Sequence, residues 1–141
     1  MTLIDTHAHI YYNDYTNRID EIIESATKKG VEKIISVGVD LASSEECVKL
    51  AIKYPSVYAS CGYHPHEAEK APKRYLYELE HFYNHPKVVA IGEIGLDYYY
   101  NISNPKDQKR VFLEQLEMAA DLGLPSIVHC RNADDDVLSI I

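Results

Sequence analysis

Near the amino terminus stands the run Asp5-Thr6-His7-Ala8-His9-Ile10, with apolar Leu3 and Ile4 before it and Tyr11 and Tyr12 after it. Successive side chains of an extended strand point to opposite faces. Asp5, His7 and His9 therefore project one way, and Ile4, Thr6, Ala8 and Ile10 the other. Two imidazoles spaced this way on a rigid strand form a chelating edge for a metal ion. A strand with two partly exposed histidines explains the motif equally well, so the metal reading needs ligands from elsewhere in the chain.

Several segments offer them. In Ala90-Ile91-Gly92-Glu93-Ile94-Gly95-Leu96-Asp97-Tyr98-Tyr99, Glu93 is a carboxylate inside an apolar strand. Its burial is costly unless it pairs with a lysine of a neighbouring strand or binds a cation. Gly92 and Gly95 let another backbone or a ligand approach closely. Asp97 and Tyr98 to Tyr100 are expected just past the strand, on a loop where a substrate would sit. The run Pro125-Ser126-Ile127-Val128-His129-Cys130-Arg131 places His129 at the carboxyl end of another apolar strand. Cys130 points the opposite way and reads as packing, while Arg131 either holds a phosphate or pairs with an acid such as Asp134. In Cys61-Gly62-Tyr63-His64-Pro65-His66, His64 either touches the substrate or leaving group or is a loop histidine fixed by turn geometry. His66 is expected to stay outside the chemistry, and His81 and His85 to lie on the surface.

The candidate metal ligands are thus His7, His9, Glu93 and His129, with Glu93 and His64 as candidate catalytic groups and Arg131 and Tyr98 as candidate substrate contacts. Imidazoles with a carboxylate suit zinc, manganese, iron or cobalt, and magnesium where waters complete its shell. A carboxylate between two sets of histidines can bridge two ions, and such a pair activates a water and clamps the oxygens of a phosphodiester in line.

The elements that must position these groups alternate along the chain. Strands are expected over residues 2–10, 33–39, 57–62, 88–94 and 125–130. The first helix, 17–29, shows Ile19, Ile22, Ile23 and Ala26 on one face and Gly30 as its stop. Ser43 is expected to cap the second, with Glu46 completing a capping box, Val48, Ala51 and Ile52 on its apolar side and Pro55 at its end. A third helix spans 73–83, with Leu76, Leu79 and Phe82 or Tyr83 inward. Asn104 and Pro105 open the fourth, Val111, Phe112, Leu116 and Ala119 line its buried side and Gly123 closes it, and a last segment begins near Asn132. Nearly all-apolar strands between helices mean a parallel sheet covered on both faces. No Gly-rich phosphate loop follows the first strand, which weakens a dinucleotide-binding reading. Ionisable residues instead gather at strand carboxyl ends, where barrel enzymes place their chemistry. The fold class is therefore α/β, a TIM (β/α)₈-barrel type truncated after about five βα units, and residues 1–141 are read as the amino-terminal part of one such domain.

The composition sets limits on this reading. A chain of 141 residues, 46% hydrophobic and 26% charged, fits one globular domain. No stretch is long and apolar enough to span a membrane, and no signal-peptide pattern opens the chain. Three scattered cysteines make no disulfide framework, and a cytoplasmic setting is expected. The formal net charge of −8 excludes nucleic-acid binding through a broad basic surface, though not a local grip on phosphate through metal ions.

Taken in order, Asp5-Thr6-His7-Ala8-His9, then Cys61 to His66, then Gly92-Glu93-Ile94-Gly95-Leu96-Asp97-Tyr98, then Pro125 to Arg131 resemble the motifs of the TatD family of metal-dependent deoxyribonucleases. The Gly-Glu-Ile-Gly-Leu-Asp run is the most specific. The resemblance implies a metallo-dependent hydrolase of the TIM-barrel superfamily. It implies His7 and His9 on one divalent ion (Mg²⁺, Zn²⁺ or Mn²⁺), Glu93 bridging to a second, and His129 on that second ion. It also implies DNA as substrate, hydrolysed at its phosphodiester bonds, often from a 3′ end. Family members are nearly twice as long and take a further histidine and a later aspartate from strands that have no counterpart in this sequence. Asp134, Asp135 and Asp136 begin a helix and offset its dipole instead of replacing those ligands.

From this follow the expectations of a fragment with a second ion loosely held or absent, activity impaired or lost, and open edges on strands one and five that invite self-association. Tyr11, Tyr12 and Tyr98 to Tyr100 are candidates for stacking on bases at the barrel mouth. Two other functions stay open: an amidohydrolase or esterase of the same superfamily, and a non-catalytic barrel fragment. A lysine at the Glu93 position would favour the former; the glutamate favours phosphoester chemistry.

Overall fold

The computed structural model describes residues 2–15 and 17–141. Five strands, β1 (Leu3–Ala8), β2 (Val31–Val37), β3 (Val57–Cys61), β4 (Val88–Asp97) and β5 (Ser126–Arg131), form one sheet in the order β1-β2-β3-β4-β5. Every neighbouring pair is parallel. Between them run helices α1 (Ile19–Lys28), α2 (Leu41–Lys53), α3 (Tyr75–Tyr83) and α4 (Pro105–Leu122), and α5 (Asp134–Ile140) follows β5. Strands in sequential order with a helix on each crossover make the curved wall of a TIM-type barrel, here a half-barrel. Among the described residues no helix is long and apolar enough to cross a membrane.

The core lies on the helix side of the sheet. Val57, Ala59 and Cys61 of β3 and Val88 of β4 pack with Cys47, Leu50 and Ala51 of α2, Tyr75 and Leu79 of α3, and Val111 of α4. A second cluster joins Ile91, Ile94 and Leu96 of β4 to Phe112 and Ala119 of α4 and Val137 of α5. The edge strands differ from this centre: Leu3 to His7 are exposed, Ile4 by 54%, and Val128 and Cys130 of β5 are exposed too. Cys130 is therefore not the packing residue expected from its parity: it lies on an edge strand against which the short α5 packs, and it stays exposed.

Local chemistry fixes the helix ends. Asn104 caps α4 by accepting from the Asp107 N–H at 3.0 Å, with Pro105 at the first helical position and Gly123 in the left-handed region (φ 64) at the end. On α2 the cap is Asp40, not Ser43. The Asp40 carboxylate accepts from the Ser43 N–H at 2.7 Å, and the Ser43 hydroxyl accepts from the Asp40 N–H at 3.0 Å. A reciprocal box closed by serine at the third helical position starts the helix earlier than expected and frees Glu46 to pair with Lys49. Ile52, expected inward, faces out and is 62% exposed, and Cys47 and Leu50 pack inward beside Ala51. In α3, Tyr75 joins the expected Leu79 as a buried residue.

The sheet departs from expectation most at β4, which continues past Ile94 to Asp97. Its pairing with β5 slips between Ile91 and Ile94, where Gly92 adopts φ +100 and Gly95 φ +140. A methyl group on Gly95 would sit inside the van der Waals radius of the His129 carbonyl oxygen, so only glycine permits this approach. The bulge keeps Glu93 and Asp97 in one continuous strand, both aimed at His129.

Candidate metal centre

The carboxyl ends of β1, β4 and β5 bring His7, His9, Glu93 and His129 together. On β1, His9 Nδ1 lies 2.8 Å from the Val37 carbonyl oxygen and so carries the ring proton, leaving Nε2 as a lone pair. His7 Nε2 is 3.3 Å from that nitrogen. Glu93 Oε2 stands 3.2 Å from His7 Nε2 and 3.7 Å from His9 Nε2. The other oxygen, Oε1, lies 3.0 Å from His129 Nδ1 and 3.8 Å from His64 Nε2. Two trios of ligand atoms result, His7–His9–Glu93 and His64–Glu93–His129, each within 4.8 Å of one another and sharing the one carboxylate.

Asp97, expected on a loop, is a fully buried end of β4 (0% exposed). Its Oδ2 accepts from His66 Nε2 at 2.8 Å and from His129 Nε2 at 3.0 Å, and its Oδ1 accepts from the N–H groups of Tyr99 and Tyr100 at 3.1 and 2.9 Å. His66, expected to stand apart, is thus tied into the cluster. The one signal for Asp97 was its parity with Glu93, four residues earlier, and it counts only if the strand is not stopped at the glycines; nothing comparable marked His66.

Electrostatics follow from these partners. Burial alone would raise Glu93, but the hydrogen bond to His129 and the nearby His64 and His7 hold its carboxyl down at about 2. Burial likewise works against ionised Asp97, yet the Tyr100 N–H and the two histidines bring it to about 2. Burial pushes His64 down to about 4, so this imidazole is neutral at pH 7. His64 Nδ1 accepts from the His66 N–H at 3.1 Å, which leaves the proton on Nε2, directed at the Glu93 side. His64 is therefore built as a hydrogen-bond donor more than as a ligand.

These donor sets suit cations. His9 Nε2 and Glu93 Oε2 are acceptors that converge with His7 Nε2 with no hydrogen available from His9 to separate them. When Asp97 holds the proton of neutral His129 on Nε2, the Nδ1 lone pair faces Glu93 Oε1 at 3.0 Å. Two acceptors at that distance repel unless a proton or a metal ion lies between them. A proton there agrees with the raised pKa of His129, whose first cause is its hydrogen bond with Glu93.

Around the cluster, a cavity of about 200 Å³ is lined by His9, Tyr12, Val39, His64, His66, Glu67 and Glu93. Tyr12 stacks on His9 with ring centroids 5.2 Å apart. Across the site, the Arg131 guanidinium lies 4.3 Å from the Tyr99 ring and 4.6 Å from the Tyr100 ring, with no carboxylate partner among the described residues. Asp134 does not pair with it. Tyr98 is not brought to the site, because its hydroxyl donates to Asp136 at 2.7 Å on the α5 side.

Fold and site together define a class: a parallel α/β half-barrel with a histidine–carboxylate centre at the carboxyl ends of its strands. A family model described as TatD related DNase matches residues 4–141, and the chain belongs to that family. It is 40% identical over 140 residues to the uncharacterized metal-dependent hydrolase YabD of Bacillus subtilis, covering 99% of this chain and 54% of the relative. It is 33% identical over 142 residues to the 3'-5' ssDNA/RNA exonuclease TatD of Escherichia coli, with the same shares covered. The crystal structure of YjjV, a TatD homologue of Escherichia coli, superposes with a TM-score of 0.90 at 32% identity over 97% of this chain and 54% of that one. The chain thus spans about half the length of the relatives it matches.

Proposed function

We propose that this chain is the amino-terminal, metal-holding part of a single barrel domain that hydrolyses DNA phosphodiester bonds from a 3′ end. The observation that carries the reading is Glu93, whose two oxygens each face their own imidazoles. His7, His9 and Glu93 would hold one divalent ion, and Glu93 and His129 a second. When bound, such ions lower the pKa of a water and offset charge on the phosphodiester oxygens. The chain's own groups then act around the phosphate. Neutral His64 donates its Nε2 proton in a hydrogen bond to a substrate or leaving-group oxygen. Arg131, held on Tyr99 and Tyr100, takes a flanking phosphate, and Tyr12, stacked on His9 and partly open to solvent, offers a ring to a base. Tyr98 plays no part, being engaged with Asp136.

The name of the relative at 33% identity, a 3'-5' exonuclease on ssDNA and RNA, supports the substrate class and the polarity. The edge strands add a proposal of their own: exposed backbone and apolar groups on β1 and β5, Leu3 and Val128 among them, pair with a second copy. Cleavage of single-stranded DNA labelled at either end, with Mg²⁺, Mn²⁺ or Zn²⁺ and then with chelator, tests the reading. In a version extended to the length of the relatives, shortening from the 3′ end that needs metal and disappears in Glu93→Ala is expected, with this chain by itself impaired or inactive. Metal-dependent hydrolysis of dipeptides or simple esters with DNA left intact would overturn it. Light scattering after size exclusion tests the pairing, and a clean monomer would refute it.

A further inference from the structure

Asp97 does more than end a strand. Its side chain sits in a closed ring of hydrogen bonds that ties together three segments of the site. Asp97 Oδ2 accepts from His66 Nε2, the His66 carbonyl accepts from the Ser103 hydroxyl at 2.8 Å, and the Ser103 carbonyl accepts from Gln108 Nε2 at 2.7 Å. Gln108 Oε1 closes the ring by accepting from the Asp97 N–H at 2.8 Å. Gln108, Ser103 and Asp97 are buried, so the two links through Gln108 are shielded from water, while the two through His66 are half-buried. The carboxylate's second oxygen caps the Tyr99–Tyr100 turn.

We infer that Asp97 is a positioning residue that keeps the ring proton of His129 on Nε2 and so presents Nδ1, as a lone pair, to the ion shared with Glu93. The inference rests on the reading of His129 as a metal-binding residue and extends it to a group outside the ligand set. Its logic is the arrangement around one oxygen. Oδ2 is an acceptor only, so a histidine nitrogen bonded to it donates a hydrogen; Glu93 Oε1 asks the same of Nδ1 at 3.0 Å, and a cation on Glu93 would remove that second demand and leave the single ring proton with Asp97. A carboxylate that orients a ligand imidazole in this way also raises its basicity, and losing it weakens metal affinity about ten- to a hundredfold.

A purely structural role makes a different demand. Capping the Tyr99–Tyr100 turn needs one oxygen, which asparagine supplies equally well. Orienting His129 needs the second oxygen, which asparagine replaces with an NH₂ donor. In Asp97→Asn the amide would face two N–H groups and favour moving the His129 proton to Nδ1, toward Glu93.

Two measurements decide the matter. In the unaltered chain, free of metal and at alkaline pH where the imidazoles are neutral, ¹⁵N–¹H correlation of the histidine rings should show His129 as the Nε2–H tautomer. A Nδ1–H tautomer would overturn the inference, whatever the fate of any variant. Zn²⁺ titration against a chromophoric chelator should then give two dissociation constants. Asp97→Asn should weaken one about ten- to a hundredfold, leave the other in place, and switch the His129 tautomer to Nδ1–H. An unchanged pair of constants with an unchanged tautomer would refute the role. Should the unaltered chain take no second ion, the shared-carboxylate reading fails, while the tautomer still reports on Asp97 by itself.

Discussion

The two sides of the metal centre are built to different standards of rigidity. On the β1 side, His7 is 39% exposed and its strand is an edge, paired only to β2. His9 is oriented by one carbonyl, that of Val37. On the β4–β5 side, His129 is held by Glu93 and Asp97, Asp97 by Gln108, and His66 by Ser103, in a network anchored on buried Asp97 and Gln108. One side is a chelating edge that adapts to what it binds. The other is assembled before anything binds, and Glu93 belongs to both.

Removing the shared member should erase the contrast. Glu93→Ala is expected to abolish metal-dependent cleavage and the binding of the ions that share it, read by nuclease assay and Zn²⁺ titration. Spoiling the rigid side comes next: Gly95→Ala forces a side chain onto the His129 carbonyl at a backbone angle that disfavours one. A loss of about 3 kcal/mol or more should appear in urea unfolding of the metal-free chain. A direct comparison of the sides follows. His129→Ala leaves buried Asp97 and half-buried Glu93 each short of a partner and should lower metal-free stability by about 3 kcal/mol. His7→Ala, on the open side, should change it by no more than about 0.5 kcal/mol while still weakening metal binding.

A pH dependence, spread over several pH units, belongs to the rigid side. His64 has a folded pKa of about 4 against an ordinary 6.5, so the unfolded chain takes its proton first. Its contribution therefore falls as pH drops from 6.5 to 4, by an amount on the order of 3 kcal/mol at most. His129, raised above 6.5, contributes fully below that value and loses its contribution as pH climbs through the raised one. Metal-free stability should accordingly peak near pH 6.5 in urea midpoints, and His64→Gln should flatten the acidic limb.

The same division describes what the sequence could tell. All five strands and all five α-helices were legible, mostly because buried parallel strands need nearly unbroken apolar runs and helices need a 3.6-residue stripe. His7, His9, Glu93 and His129 were legible because ionisable side chains inside such runs are costly and stand out. Asp97 and His66 were not. Glycines at 92 and 95 imitate a strand end, whereas here they permit a bulge and a close approach to β5. Asp40 was passed over for Ser43 because both can cap, and only the backbone angles decide between them. The outward turn of Tyr98 depends on Asp136, thirty-eight residues away, a contact that no local pattern announces.

Two glutamines on α4 carry a consequence for altering this protein. Gln108 grips the N–H and C=O of Asp97, and Gln115 grips those of Tyr63, at distances of 2.7 to 3.1 Å. Both hold main chain, two helical turns apart on one face. Where those loops lie is thus decided separately from which side chains they display, so residues facing the cavity can be exchanged to tune selectivity while the helix keeps the loops in place.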